Sequence, residues 1–193
     1  PFTTRKIDAL ADDTPQCHGL LEAASIGYSA LPPVSAGPNC GYANGVTLTR
    51  DQPRSIAYSP AAKTSCPVAA SLVLWENQIV KAAAREHLGT TVEQIITYGS
   101  YSCRRIGGGE SGNLSEHATA NAIDIAAFRL ADGRSVSVAG HWNADDERSR
   151  FLKAVRDGAC DIFATTLSPD YNKAHADHLH FDQARRGGYQ YCR

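Results

Sequence analysis

Methionine is absent from all 193 residues, and so is any apolar run near the roughly 18–20 residues needed to span a bilayer. The second absence excludes a membrane-spanning helix and leaves a chain expected to be soluble. The first, in a chain that opens Pro1-Phe2, fits a form whose export signal has been removed, or a trimmed one. Positive charge is not in excess: the formal net charge is -1, so no broad basic field is present to hold nucleic acid or an anionic membrane. No cysteines stand at C-x-x-C spacing, which argues against a structural zinc site built on thiolates. Gly107-Gly108-Gly109 lacks the Gly-Lys-Ser/Thr ending of a phosphate-binding loop and reads as a flexible connection. Gly109-Glu110-Ser111-Gly112 lacks the final glycine of a nucleophile elbow, so a serine hydrolase built on Ser111 or Ser115 is set aside.

What is present begins with six scattered cysteines: Cys17, Cys40, Cys66, Cys103, Cys160 and Cys192. An even, widely spaced set reads as three disulfides formed in an oxidising compartment, and so as a periplasmic or secreted protein. Spacing does not choose among the possible pairings. Hydrophobic residues make up 42%, enough for one compact core with a decorated N-terminus.

Residues 1–64 carry Pro32-Pro33, Gly37-Pro38, Asn44-Gly45 and Pro53. Turn residues at that density predict a loop-rich arm of loops and short strands, pinned to the body by its two cysteines. Residues 65–193 read as a second unit, the one that holds the chemistry-bearing residues. After Cys66-Pro67, the residues Val68, Leu72, Trp75, Ile79, Ala83 and Leu88 recur at helical spacing, and Gly89 suits the cap, so an amphipathic helix is expected. Val92–Tyr98 and Ala122–Leu130 read as strands. Asp132-Gly133 is a hairpin turn, with Ser135–Ala139 returning as a strand. Asn143 is expected to cap a helix over about residues 144–158, and His178–Asp182 reads as a short strand. The hairpin implies antiparallel pairing. The expected fold class is therefore α+β: a small antiparallel sheet flanked by helices, which would carry the site residues taken up next.

Chemistry concentrates in His175-Ala-Asp177-His178-Leu-His180. On a strand His178 and His180 share one face, while Leu179 and Phe181 point into the core. Two neighbouring imidazoles coexist if one binds a metal and stays neutral. A catalytic zinc takes three protein ligands, and Ser115-Glu116-His117-Ala-Thr-Ala-Asn121-Ala-Ile-Asp124 offers the missing ones. Fully extended, the seven residues from His117 to Asp124 would span about 23 Å. The small residues between them let the backbone turn back. Asp124 lies between Ile123 and Ile125, and a carboxylate in that frame needs a partner. His18, His87 and His141 read as surface or satisfied core residues.

Cys66-Pro67, Gly99-Ser-Tyr-Ser-Cys103-Arg104, Ser115-Glu-His117, Asn121-Ala-Ile-Asp124, Phe151-Leu152, Cys160, Pro169-Asp-Tyr171 and His175-Ala-Asp-His178-Leu-His180-Phe-Asp182 together resemble the bacterial extensin-like C-terminal family over roughly Cys40 to Arg193. More widely the site residues resemble the zinc metallopeptidase superfamily of lysostaphin-type enzymes, D-alanyl-D-alanine carboxypeptidases and dipeptidases, and the hedgehog signalling domain. The resemblance implies zinc ligands at His117, Asp124 and His180. It implies that His178 is the histidine assisting the reaction, with Asp177 next in rank as general base and His175 third. It implies that Arg104 holds a substrate carboxylate or scissile carbonyl, with His175 also at the substrate; Asp182, on the same strand face as His180, is read as supporting that ligand. The activity implied is zinc-dependent hydrolysis of an amide bond in peptidoglycan stem peptides, by a carboxypeptidase or an endopeptidase. The rival is a non-catalytic module that keeps zinc for stability and binds cell wall or a protein, as hedgehog does in signalling. Asn113-Leu-Ser115 is also a glycosylation sequon, and a glycan there would crowd His117.

Overall fold

The first quarter of the chain contains more helix than its turn residues predict. In the computed structural model, which describes residues 2–49, 56–187 and 189–193, it opens with α1 (Phe2–Ala9) and α2 (Thr14–Ala23). The Asp13 carboxylate accepts from the Gln16 amide at 2.9 Å and Pro15 sits in the first turn of α2, so Asp13-Thr14-Pro15 is a helix start rather than a loop. Short strands follow: β1 (Tyr28–Ala30), β2 (Val34–Gly37), β3 (Cys40–Tyr42), β4 (Gly45–Leu48), β5 (Ala57–Ser59) and β6 (Lys63–Ser65). Strands β1, β4 and β6 make an antiparallel sheet, and β2 and β3 a separate hairpin. Pro53 lies outside the described residues.

The cysteines pair as Cys17–Cys66, Cys40–Cys103 and Cys160–Cys192, across 49, 63 and 32 residues. Closing loops of that length in the unfolded chain is worth about 4 kcal/mol each in the chain-entropy account. Two of the bridges tie the arm to the body, and the third fastens the C-terminus.

Residues 66–88 form one helical run: α3 (Cys66–Trp75), a π turn (Glu76–Val80), α4 (Lys81–Ala83) and a second π turn (Ala84–Leu88). Gly89 ends it at φ 66°, a left-handed value that a side chain disfavours. The expected amphipathic pattern holds only for the later turns. Val68, Ala69, Ser71, Leu72 and Trp75 are all buried, because α3 is covered on both sides. One side packs on the main sheet, where Trp75 meets Phe128 and Phe181. The other packs on the arm, where Cys66 and Ala69 join Leu10, Cys17, Leu21 and Val46.

The main sheet adds β7 (Val92–Gly99), β8 (Ala122–Leu130), β9 (Ser135–Ser137), β10 (Thr165–Leu167), β11 (Leu179–Asp182) and β12 (Tyr191–Cys192). Its order is β12-β10-β11-β8-β7-β5, with β9 also paired to β8. The central pairs are antiparallel; β5 and β12 add parallel edges. A bulge falls between Ile125 and Ala127 of β8. It shifts the alternation by one, so that Ile123, Ile125, Phe128 and Leu130 all enter the same core. The return strand stops at Ser137, not Ala139, because the Ser137 hydroxyl accepts from the Gly140 amide and starts α5 (Val138–His141). Helix α6 (Glu147–Ala159) is capped by Asp146 rather than Asn143: its carboxylate takes the Arg148 and Ser149 amides at 3.0 and 3.2 Å. Trp75 Nε1 donates to the Val155 carbonyl at 2.8 Å and so locks the two long helices together. Among the described residues no helix is long and apolar enough to cross a membrane.

Two predictions follow from this packing. A Cβ on Gly158 would lie 2.5 Å from Ile79 Cγ2 and 2.8 Å from Cγ1 and Cδ1. Alanine propensity favours Gly158→Ala by about 1 kcal/mol, but overpacking costs about 1–3 kcal/mol. The variant should lose about 1 kcal/mol in urea unfolding, and adding Ile79→Ala should remove the Gly158→Ala penalty in a double-mutant cycle. Glu76 is buried beneath Tyr58, whose hydroxyl donates to it, and burial raises its carboxyl to about 7 despite the Tyr58 bond and Lys81. The folded state thus holds this proton more tightly than the unfolded chain, where the value is 4.5. Stability should therefore fall by about 3 kcal/mol as pH rises from about 4.5 to about 7, then level off. Glu76→Gln should lose that component, gaining on the wild type between pH 5 and pH 8 in denaturant midpoints.

Candidate metal centre

A tight turn brings His117 back to Asp124. Ser115 opens a 3-10 turn (Glu116–Thr119), its hydroxyl accepting from the His117 amide at 3.3 Å. The Asn121 amide bonds the Glu116 carbonyl at 2.9 Å and the Ala120 amide the His117 carbonyl at 3.1 Å, the paired bonds of a Schellman closure. Ala120 takes the left-handed position at φ 54°, which usually belongs to glycine. Ala118, Ala120 and Ala122 are wholly buried, which explains the run of small residues. Strand β8 starts at once, and His117 Nε2 lies 3.2 Å from Asp124 Oδ1.

Strand register supplies the next residue. His180 of β11 stands directly opposite Asp124 of β8. Leu179 and Phe181 are fully buried among the core residues, so alternation turns His180 and Asp182 to the other face. On the other flank Asp124 is opposite Gly99, the last residue of β7. Gly99 has φ 111° and leads the chain around to Ser100, whose carbonyl meets His117 Nδ1 at 3.0 Å.

These contacts settle where the protons are. A carbonyl only accepts, so His117 Nδ1 carries hydrogen and donates to Ser100. His180 Nε2 donates to the Asp182 carboxylate at 3.0 Å. In the neutral rings the inner nitrogens are then bare. His117 Nε2 and His180 Nδ1 are 3.2 Å apart, and His180 Nδ1 is 2.9 Å from Asp124 Oδ1. Three lone pairs thus point at one buried spot, which requires a positive charge: a metal ion or an additional proton. His117, Asp124 and His180 form a donor set able to hold a metal ion. Without one the requirement appears as a proton. Burial opposes charge on His180, but Asp124 and Asp182 raise it to about 9. Burial likewise opposes charge on Asp124, yet bonds from His117 and His180 hold its carboxyl far below the usual range.

Around this cluster lies a cleft of about 350 Å³ lined in part by Tyr98, Arg104, His117, Asp124, Asp177 and His178. His178 sits one residue before β11 rather than within it, yet its Nε2 is only 3.6 Å from Asp124 Oδ1. Its Nδ1 is 2.9 Å from Asp177 Oδ1, and the Tyr98 ring meets its own ring edge-on at 5.8 Å. Asp177, about half exposed, thus backs His178 instead of facing the cluster. The Arg104 guanidinium lies 3.8 Å from Asp124 Oδ2, too far for a hydrogen bond. His175 packs on the rings of Tyr171, His178 and His180, donates to Asn172 at 2.8 Å and does not line the cleft. Burial, then the charges of His178 and His180, lower it to about 4, so it is neutral near pH 7.

Three contributors were not singled out from sequence. Tyr98 is an exposed strand residue whose alternation signals nothing. Ser100 acts through its backbone. Asn121 donates to Glu116 at 2.6 Å and accepts from Ser65 at 3.1 Å, anchoring the turn to the start of α3; the Glu116-to-Asn121 spacing was the visible hint.

The model of the family described as extensin-like protein C-terminus matches residues 15–193. No curated protein and no solved structure matches the chain.

The two positive-φ residues of the site should respond in opposite ways. Gly99→Ala forces a side chain onto φ 111° and should destabilise by about 1–3 kcal/mol in thermal or urea unfolding. Ala120→Gly relieves a left-handed alanine and should be neutral or stabilising, by up to about 1 kcal/mol.

Proposed function

The chain belongs to the extensin-like C-terminal family, and from its buried donor cluster we propose that it is a zinc peptidase hydrolysing an amide bond in peptidoglycan stem peptides outside the cytoplasm. The placement in the wider metallopeptidase superfamily belongs to the same reading. The observation that carries it is His178: an imidazole edge aimed into the cleft at the three-donor cluster, backed by a carboxylate.

Two histidine nitrogens and one carboxylate oxygen are ligands that zinc favours. Tetrahedral bonds of about 2.0–2.1 Å place ligand atoms about 3.3 Å apart, and the three atoms here are 2.9–3.2 Å apart. Ser100 and Asp182 hold both rings in the tautomer that a metal requires. When bound, zinc supplies Lewis acidity, polarising a carbonyl and bringing the pKa of water toward about 7.

The chain's own residues do the rest. His178 donates through Nδ1 to Asp177, so its Nε2 lone pair faces the cleft and is free to take a proton there. Asp177 stabilises the imidazolium that results, and Tyr98 packs edge-on against the His178 ring. The protonated His178 can then return its proton to the departing amine. Arg104 lines the same cleft with a guanidinium only distantly paired, ready for a substrate carbonyl or carboxylate. Three disulfides suit the periplasmic or secreted setting where this substrate occurs.

The test compares zinc content and muropeptide hydrolysis in the wild type, His178→Ala and His180→Ala. His178→Ala should keep its zinc and lose about 10²–10⁴-fold in kcat. His180→Ala should lose zinc and activity together. Full activity in His178→Ala would remove that residue from the mechanism, and a zinc-loaded wild type that cleaves no muropeptide would favour the non-catalytic binding module.

A further inference from the structure

Arg104 lines two clefts, not one. On one side is the cleft beside His178; on the other is a cleft of about 440 Å³ between the arm and the glycine-rich loop. Both are large enough for a ligand. The second is walled by Ala36, Gly37 and Pro38 at the tip of the β2–β3 hairpin and faced by Gly108 and Gly109. A site for a free chain end closes behind the cation that takes the terminal carboxylate. Here Arg104 borders a second cleft as well.

The hairpin is held in place as a wall. Cys40–Cys103 joins it covalently to the residue before Arg104, and Tyr42 packs edge-on against Tyr101 at 5.3 Å. Strands β2 and β3 pair only with each other among the described strands, so their outer edges offer backbone amides and carbonyls. Gly37 on one side and Gly108 and Gly109 on the other expose backbone to the cleft, which suits an extended peptide. Arg105 also borders this cleft, but its guanidinium is committed to the Gly112 carbonyl. Arg104, half exposed, is left to meet a carbonyl or carboxylate of a chain passing from one cleft to the other.

We infer that the arm-walled cleft is a substrate subsite, and that the protein acts on an internal amide of a longer or cross-linked peptide rather than trimming a free terminus. The inference rests on the peptidase reading and narrows its substrate.

The experiment compares a cross-linked stem-peptide dimer with the corresponding monomer, whose terminus is free. Rates are followed by chromatography, and binding to the His178→Ala protein by calorimetry. Ala36→Trp, at an exposed hairpin position, fills the cleft; Cys40→Ser with Cys103→Ser releases the wall. The wild type should prefer the dimer at least tenfold in kcat/KM. Ala36→Trp should lower the dimer-to-monomer ratio at least tenfold and weaken dimer binding similarly in the His178→Ala background. Should the cysteine pair variant fail to fold, Ala36→Trp decides alone, with near-ultraviolet circular dichroism as its fold check. A wild-type preference for the monomer, or a ratio unmoved by Ala36→Trp, overturns the inference while leaving the peptidase intact. If nothing is cleaved, the peptidase reading fails and binding still judges the cleft. Dimer binding weakened by Ala36→Trp supports the subsite; binding that is absent or unchanged overturns it.

Discussion

Three lone pairs held about 3 Å apart in a buried space repel one another unless positive charge lies among them. That constraint organises the candidate site. His117, Asp124 and His180 converge because their outer atoms are already committed: the Ser100 carbonyl and the Asp182 carboxylate fix which nitrogen of each ring carries hydrogen. Were either outer partner lost, the ring could turn its N–H inward and satisfy the cluster without a cation. The cost of such an arrangement is borne by the rest of the fold, which supplies the rigidity to hold it.

That rigidity comes from the opposite face of the sheet. Strands β8 and β11 present Ile123, Ile125, Leu179 and Phe181 to a core closed by Trp75, Phe151 and Leu152. A slip of one residue in either strand would bury the wrong set, so packing and the facing of Asp124 and His180 are specified together. The bulge in β8 extends the apolar face without altering that register, because it falls beyond Asp124. The turn from His117 and the bend at Gly99 then bring two further segments over the same face, at the cost of a left-handed alanine. The arm adds its own small core around Cys17–Cys66 and reaches the site edge through Cys40–Cys103.

Much of this was legible in the sequence where a signal was local and periodic. The span Ala122–Leu130 was readable because an apolar run between small polar residues has few alternatives, and Gly89 because only a helix end needs its backbone freedom there. The shared facing of His178 and His180 followed from strand alternation, although His178 proved to precede the strand. The misses have physical causes. Asp13 and Pro15 start a helix, a local signal that the turn residues further along the arm outweighed. Ser137 ended a strand by capping the next helix, and Asp146 outcompeted Asn143 because only its carboxylate reaches two free amides. The parallel edges β5 and β12, the cysteine pairing and the arm wall depend on long-range packing, which no window of sequence contains.

The division of labour between Asp177 and His178 shows how one methylene group bears on the proposed chemistry. Dipeptidases of the superfamily that the site residues resemble carry a glutamate where this chain has Asp177, and use it as the base. A shorter carboxylate, half exposed and bonded to His178 Nδ1, is directed away from the cluster. What stands between it and the three donors is an imidazole, a group able to accept a proton at one nitrogen while its charge is balanced at the other. On the proposed reading, the chain has therefore moved the base one group inward, from carboxylate to histidine. Asp177 then works through His178, fixing its tautomer and stabilising its charged form, while Tyr98 packs on the His178 ring. The bond to His178 holds the Asp177 carboxyl below its usual range, which suits it to balancing charge on the imidazole rather than to taking the proton itself.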